Sequence, residues 1–167
     1  VYAAEQLYGA GKGAEKLDYV IAELEKRGFI QYEISNFAQP ERECRHNLLY
    51  WSRGNYIGLG CAAHSLWNEK RRENTPDIQN YISLQQFTEI QIAKNDAMFE
   101  RIMLALRTSK GLNTIEFKKE FSIDIADIYS LPLNKHISLG NLIKKNEYIR
   151  PTEKGMDILN SVLVDFL

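Results

Sequence analysis

Residues 14–34 place an amphipathic helix, a glycine and a strand in immediate succession, and this order restricts the fold more than any other feature of the chain. Leu17, Val20, Ile21 and Leu24 keep three-to-four spacing, while Glu15, Lys16, Glu23, Glu25 and Lys26 take the opposite face, so the pattern predicts a helix over 14–27. Gly28 stands where a helix ends in the left-handed region, which a residue without Cβ enters freely. Phe29 to Ile34 then alternates with β-branched and aromatic residues and predicts a strand. Helix, glycine and strand make the second half of an α/β unit, whose strand needs parallel neighbours. The rest of the chain supplies few. It opens Val1-Tyr2-Ala3-Ala4 without a methionine, and it reads as a piece of a longer protein.

At 167 residues the chain is one large domain or two small ones, with enough apolar residues to bury a core without disulfides or metals. A formal net charge of −1 gives no electrostatic reason to expect a polyanionic partner. Cys44 and Cys61 form no metal motif at their spacing, and a reduced cytoplasmic compartment suits them better than a secreted one. Gly9, Gly11 and Gly13 have no strand before them, so they predict a flexible terminus and not a phosphate loop.

Further along, Ser35 to Pro40 predicts a loop, Glu41 to Tyr50 a polar segment with a short helix, and Trp51 to Tyr56 a turn. Tyr56 to Gly60 predicts a short buried strand. The run Lys70-Arg71-Arg72 predicts a solvated turn or, as the alternative, a carboxylate or phosphate contact. Helices are predicted over 77–84 with Ile78, Tyr81 and Ile82 inward, over 96–108 with Asp96 as cap, from Asn113 or Thr114 through Phe121, near 124–130, and over 135–145. Tyr148 to Pro151 predicts an edge strand, and Thr152 caps a last helix carrying Met156, Ile158, Leu159, Val162, Leu163 and Phe166. This succession is winged-helix-like. Such modules often bind DNA, but residues 96–167 carry 10 basic and 10 acidic side chains, so no basic face is expected and no nucleic acid.

The chemistry-bearing residues gather between Tyr32 and Ser65, which hold His46, His64, both cysteines and Trp51. His46 and Tyr50 lie four apart and share one face of a helix. An imidazole ligates haem iron, and a phenolate can, so both could face one metal or macrocycle; a hydrogen-bonded structural histidine is the plainer alternative. Cys44-x-His46 is half of a zinc site without its other half. Glu33 either faces a barrel interior as an acid–base group or points outward, and His136 is expected on the surface.

Taken together, Tyr-Glu-Ile-Ser-Asn-Phe-Ala (32–38), Glu-Cys-Arg-His-Asn-Leu-Leu-Tyr-Trp (43–51), Tyr-Ile-Gly-Leu-Gly-x-x-Ala-His-Ser (56–65), Arg72-x-Asn74, Glu100, Leu104-x-Leu106-Arg107-x-x-x-Gly111-Leu112 and Thr152-x-x-Gly155 resemble a family. It is the radical-SAM oxygen-independent coproporphyrinogen III oxidase-like proteins, HemW-type haem chaperones among them. The resemblance implies an α/β architecture: residues 1–75 as the C-terminal remnant of a partial (β/α) barrel with its extension, and 76–167 as a mainly helical, winged-helix-like domain. It implies a [4Fe–4S] cluster and S-adenosylmethionine in an N-terminal half, since the family's C-x-x-x-C-x-x-C run is absent here and Cys44 and Cys61 cannot replace it. The family's H-N-x-x-Y motif, implicated in haem binding, matches His46, Asn47 and Tyr50, with His46 as the implied iron ligand. Ala63 and His64 are implied to line the cofactor and substrate cavity. Expected partners are the N-terminal half, haem or porphyrin, a haem-acceptor protein and, through cut sheet edges, a second copy of the chain. The chief alternative is a true oxidase acting on porphyrinogen propionates, held by basic residues such as Arg45 or Arg72. Two positions depart from the family pattern: Cys61-Ala62 stands where relatives commonly have Pro or Ala followed by Gly, and Glu41 where Gly is common.

Overall fold

The computed structural model describes residues 19–167, so the glycine-rich opening and the first turns of the 14–27 helix lie outside the described residues. The chain divides into two compact units, Val1–Arg45 and His46–Leu167.

In the first unit, helix α1 runs over 19–26. Gly28, at φ +80°, ends it as expected: Phe29 N–H donates to the Leu24 carbonyl and Gly28 N–H to that of Glu25, the paired bonds of a Schellman cap. The strand is shorter than the alternation predicted. β1 covers Ile30–Gln31 and pairs antiparallel with β2, Phe37–Ala38, across a tight reversal. Glu33 sits in that reversal, 1% exposed; its Oε1 accepts from Ser35 N–H at 3.3 Å, and Oε2 has no partner.

The second unit opens with α2, Arg45–Trp51, of which only Arg45 lies before the division. Next comes an antiparallel meander, β3 (His64–Trp67), β4 (Lys70–Asn74) and β5 (Phe87–Gln91), in the order β3-β4-β5, with helix α3 (Ile78–Leu84) between the last two. Three expectations are corrected here. Tyr56 to Gly60 is not a buried strand: Tyr56 makes one two-bond bridge to Leu66, and Ile57 and Leu59 are 63% and 86% exposed. Gly58 runs so close to His64 that a Cβ would lie 2.1 Å from its carbonyl oxygen, which closes a loop there. Lys70-Arg71-Arg72 is not a turn but the start of β4; the turn is Asn68-Glu69, both at positive φ (50° and 61°), the reversal that suits a two-residue hairpin. On α3, Ile78 and Ile82 are exposed, and of the three residues expected inward Tyr81 alone is partly covered.

The core lies in the remaining elements. Helix α4 (Lys94–Ala105) buries Ala97, Met98, Ile102 and Ala105, with Leu106 just beyond it, and Asp96 falls in its first turn and not at its cap, which is Ala93. Strand β6 (Leu112–Asn113) leads into α5 (Thr114–Phe121), where Asn113 Oδ1 accepts from the N–H groups of Ile115 and Glu116. Phe117 and Phe121, four apart, then face inward. Helix α6 (Ile125–Ser138) replaces the two helices expected near 124–130 and over 135–145. It kinks at Tyr129, three residues before Pro132, and stops at Gly140, φ +69°. The hydrophobic period past 140 therefore belongs to a strand, β7 (Leu142–Lys145): Leu142 is buried while Ile143 points out, the alternation of a sheet. Strand β8 (Tyr148–Pro151) lies between β6 and β7. Thr152 Oγ1 accepts from Gly155 N–H and caps α7 (Glu153–Asp157), and a break at Ile158 separates α8 (Leu159–Val164). Gly155 is required by contact, since a Cβ would meet the Asn141 carbonyl oxygen at 1.8 Å.

His136 is corrected too. It is 4% exposed, its Nε2 lies 2.7 Å from Asp165 Oδ2, and Asn141 Nδ2 lies 3.1 Å from Nδ1. With the Asn141 amide donating to Nδ1, Nε2 carries the proton toward Asp165, and α6 is tied to the segment that ends α8.

Candidate functional site

The predicted site residues fall into two groups. His46, Asn47 and Tyr50 belong to α2, Ala63 to the loop entering β3, and His64 to the first position of that strand. On α2 the four-residue spacing brings the His46 and Tyr50 rings edge to face, centroids 4.8 Å apart and planes at 89°. Tyr50 continues onto Tyr56, centroids 4.6 Å apart. Both His46 and Tyr50 are exposed, so the imidazole and the phenol are open to an incoming group rather than sealed in a core. Tyr56 is also the residue that bridges Leu66, two positions after His64, and this ring ladder is the link between the two groups.

At the second group, Asn74 fastens the loop: its Nδ2 donates to the Gly60 carbonyl at 2.8 Å, and its backbone N–H to that of Ala63 at 2.9 Å. Gly60 N–H reaches the Tyr81 hydroxyl, and the Cys61 thiol points at the carbonyls of Thr75 and Pro76. Ala63 is half-buried. His64 is exposed, with Nε2 3.9 Å from Glu73 Oε1 on the facing strand, too far for a direct hydrogen bond. Beside it opens a cavity of about 510 Å³ lined by Glu73, Asn74, Thr75, Pro76, Gln86, Phe87 and Thr88. Arg72, weighed above as a propionate clamp, lies over the Phe87 ring at 3.4 Å.

Sequence reasoning missed the residue that anchors α2. Arg53 closes that helix in the left-handed region, φ 57°, a place normally given to glycine. Its side chain is 2% exposed. Nη1 and Nη2 grip both oxygens of Glu69 at 2.9 and 2.7 Å, and Nε donates to Glu100 Oε2 at 2.9 Å. Arg71 takes the other Glu100 oxygen, and Arg101 on α4 takes Glu116 and Glu120 on α5. Burial opposes the Arg53 charge, but the Glu69 and Glu100 carboxylates outweigh it and its pKa is raised; burial pushes Glu120 up despite Arg101 and Arg53. Fork geometry decides the choice of arginine, because a lysine could not hold one carboxylate with two nitrogens and a second with its third. Trp51-Ser52-Arg53-Gly54 announces a turn in sequence, but nothing in it announces the clamp.

A [4Fe–4S] cluster does not fit these residues. The chain's two cysteines are seventeen positions apart, Cys44 exposed and Cys61 turned toward carbonyls, and among the described residues no three His, Cys, Asp or Glu side chains converge as a metal site. Among the described residues no helix is long and apolar enough to cross a membrane.

Against known proteins, residues 92–158 match the family described as HemN C-terminal domain. The chain is 33% identical over 154 residues to heme chaperone HemW of Buchnera aphidicola subsp. Acyrthosiphon pisum, covering 86% of this chain and 40% of that protein. Heme chaperone HemW of Escherichia coli K12 is likewise 33% identical over 154 residues, with 86% and 39% covered, and that of Lactococcus lactis is 28% identical over 160 residues, with 93% and 42% covered. A solved structure, described as "Coproporphyrinogen III oxidase (HemN) from Escherichia coli is a Radical SAM enzyme", superposes with a TM-score of 0.67 over 90% of this chain and 39% of that one, at 17% identity, and shows the shared fold.

The mixed helix-and-sheet architecture is therefore that of the HemN C-terminal domain. Residues 92–158 match the HemN C-terminal domain family, and the chain is similar over most of its length to the heme chaperones named HemW. It spans about 40% of the length of the curated relatives it matches.

Proposed function

We propose that this chain is the C-terminal region of a cytoplasmic haem chaperone and that His46 offers its imidazole to the iron of a haem cargo. The observation that carries this reading is an exposed His46 held edge to face against Tyr50 on a helix anchored by a buried arginine clamp. A neutral imidazole on a fixed helix supplies the iron ligand; Tyr50 keeps that ring oriented, and Asn47, Ala63 and His64 belong to the surface that receives the cargo. The names of the relatives, heme chaperone HemW, support the cargo class.

The [4Fe–4S] cluster and S-adenosylmethionine belong, in this proposal, to the N-terminal half of the longer protein, where they would supply radical chemistry; the residues present here hold neither. A haem-acceptor protein and a second copy of the chain complete the proposed partners. Residues 1–75 and 76–167 are proposed as barrel remnant and winged-helix-like domain. The order α4, β6, α5, α6, β7, β8 supports the winged-helix description, while the pairing of β4 with β5 straddles position 75/76.

The test is a haem titration of the full-length protein followed by absorption spectroscopy. His46→Ala should weaken binding at least about tenfold and shift the Soret band. Tyr50→Phe, which keeps the ring contact, should change both much less. Unchanged affinity and spectrum in His46→Ala would remove the ligand role.

A further inference from the structure

At the far end of the three-stranded sheet β6-β8-β7, a shallow pocket of about 240 Å³ is lined by Lys110, Lys145, Asn146, Tyr148 and Arg150. The backbone assembles it. Gly111, φ +77°, lets the segment before β6 approach β8 so closely that a Cβ would lie 2.3 Å from the Ile149 carbonyl oxygen and 2.6 Å from the Arg150 Cβ. That approach sets Lys110 beside Arg150, and the register pairs Lys145 with Tyr148. Lys110 Nζ stands 5.4 Å from the centre of the Tyr148 ring. The three cations are exposed, and among the described residues no carboxylate pairs with them, whereas Arg53, Arg71, Arg101, Lys118 and Lys135 are all matched by acids.

From this arrangement we infer that the pocket binds the phosphate group of a small molecule. Every charged group lining it is a donor, and Tyr148 and Asn146 add neutral donors. A single carboxylate brings one charge to three cations, whereas a phosphate brings close to two and three or more acceptor oxygens, one edge of which matches the arginine fork. The volume falls below the roughly 300–1,000 Å³ of sites for drug-sized ligands, so the pocket takes a charged group and not a macrocycle. The positive patch is also confined. Lys144, the next residue of β7, projects to the opposite face and acts on Asp124, so no stripe extends along which a nucleic-acid backbone could lie.

The experiment is calorimetric titration of the full-length protein, without haem, with inorganic phosphate and pyrophosphate. Wild type should bind pyrophosphate saturably. Lys145→Gln and Arg150→Gln should each weaken it about tenfold, and Lys94→Gln, which removes the same charge at the exposed start of α4, should leave it unchanged. All three substitutions are at exposed positions, and thermal melts check that each variant stays folded. Absence of saturable binding at millimolar pyrophosphate overturns the inference, as does equal weakening in all three variants. A single-stranded oligonucleotide and anionic vesicles form the remaining arms. Binding of either through Lys145 and Arg150, with none of pyrophosphate, assigns the patch to a macromolecule or a membrane and overturns it as well. The readout involves no iron, so its outcome is separate from that of the His46 test.

Discussion

Ala62 and Glu41 occupy the left-handed region, φ 58° and 64°, where a Cβ costs about 1–2 kcal/mol. They are the two positions at which the resemblance led to an expectation of glycine, and the residues found there carry a backbone cost. Ala62 N–H still donates to the Thr75 carbonyl at 3.0 Å, which holds the residue in place. Replacing Ala62 with Gly should relieve that strain against a smaller loss of chain entropy, and raise the unfolding free energy by about 0.5–1 kcal/mol, read as a higher urea midpoint at constant slope. Arg53 sits in the same region, but it is kept there by three ion-pair bonds to Glu69 and Glu100, so glycine at 53 would relax the backbone and lose the clamp. Two residues with the same backbone angle thus predict opposite outcomes, and the side-chain partners decide which.

Among the elements, those around the sheet β6-β8-β7 are defined by their ends. Helix α5 has only eight residues, too few to be stable alone, and its first turn depends on Asn113 accepting two backbone N–H groups, at 2.9 and 3.0 Å. Asn113→Ala should cost about 1 kcal/mol, whereas Asn113→Asp should be close to neutral; urea unfolding measures both. Strand β4 shows the opposite case. Lys-Arg-Arg-Glu-Asn has weak strand propensity and no apolar alternation, yet it is the middle strand of its sheet. Its charges are matched across the ladder and beyond: Lys70 to Glu89, Arg71 to Glu100, Arg72 to the Phe87 ring. Such a strand is made by its neighbours, not by its own composition.

Over the whole molecule, acid stability should reflect the join between α6 and the end of α8. Lys135 and His136 hydrogen-bond the Asp165 carboxylate and hold its pKa below the ordinary value of 3.8. A depressed carboxylate adds stability that is fully present above its unfolded value and is lost as pH falls through the folded one. Wild type should therefore lose more stability than Asp165→Asn as pH falls below about 4, and the two urea midpoints should converge in acid. A constant gap across that range would contradict this account.

The sequence by itself determined the features that rest on local chemistry. The Gly28 cap, the Asn113 and Thr152 caps, the inward face of α4, and the pairing of His46 with Tyr50 follow from spacing within a few residues, where helix geometry leaves little choice. The resemblance carried by residues 32–65 located the family. Tertiary structure alone decided what depends on partners far along the chain: that 70–74 is a central strand, that the hydrophobic run past 140 alternates instead of spiralling, that His136 is buried against Asp165, and that Arg53 anchors the helix bearing His46. In each case the residue's own preference is weak or misleading, and the energy comes from a charge or a strand brought alongside by folding, which one-dimensional spacing does not record.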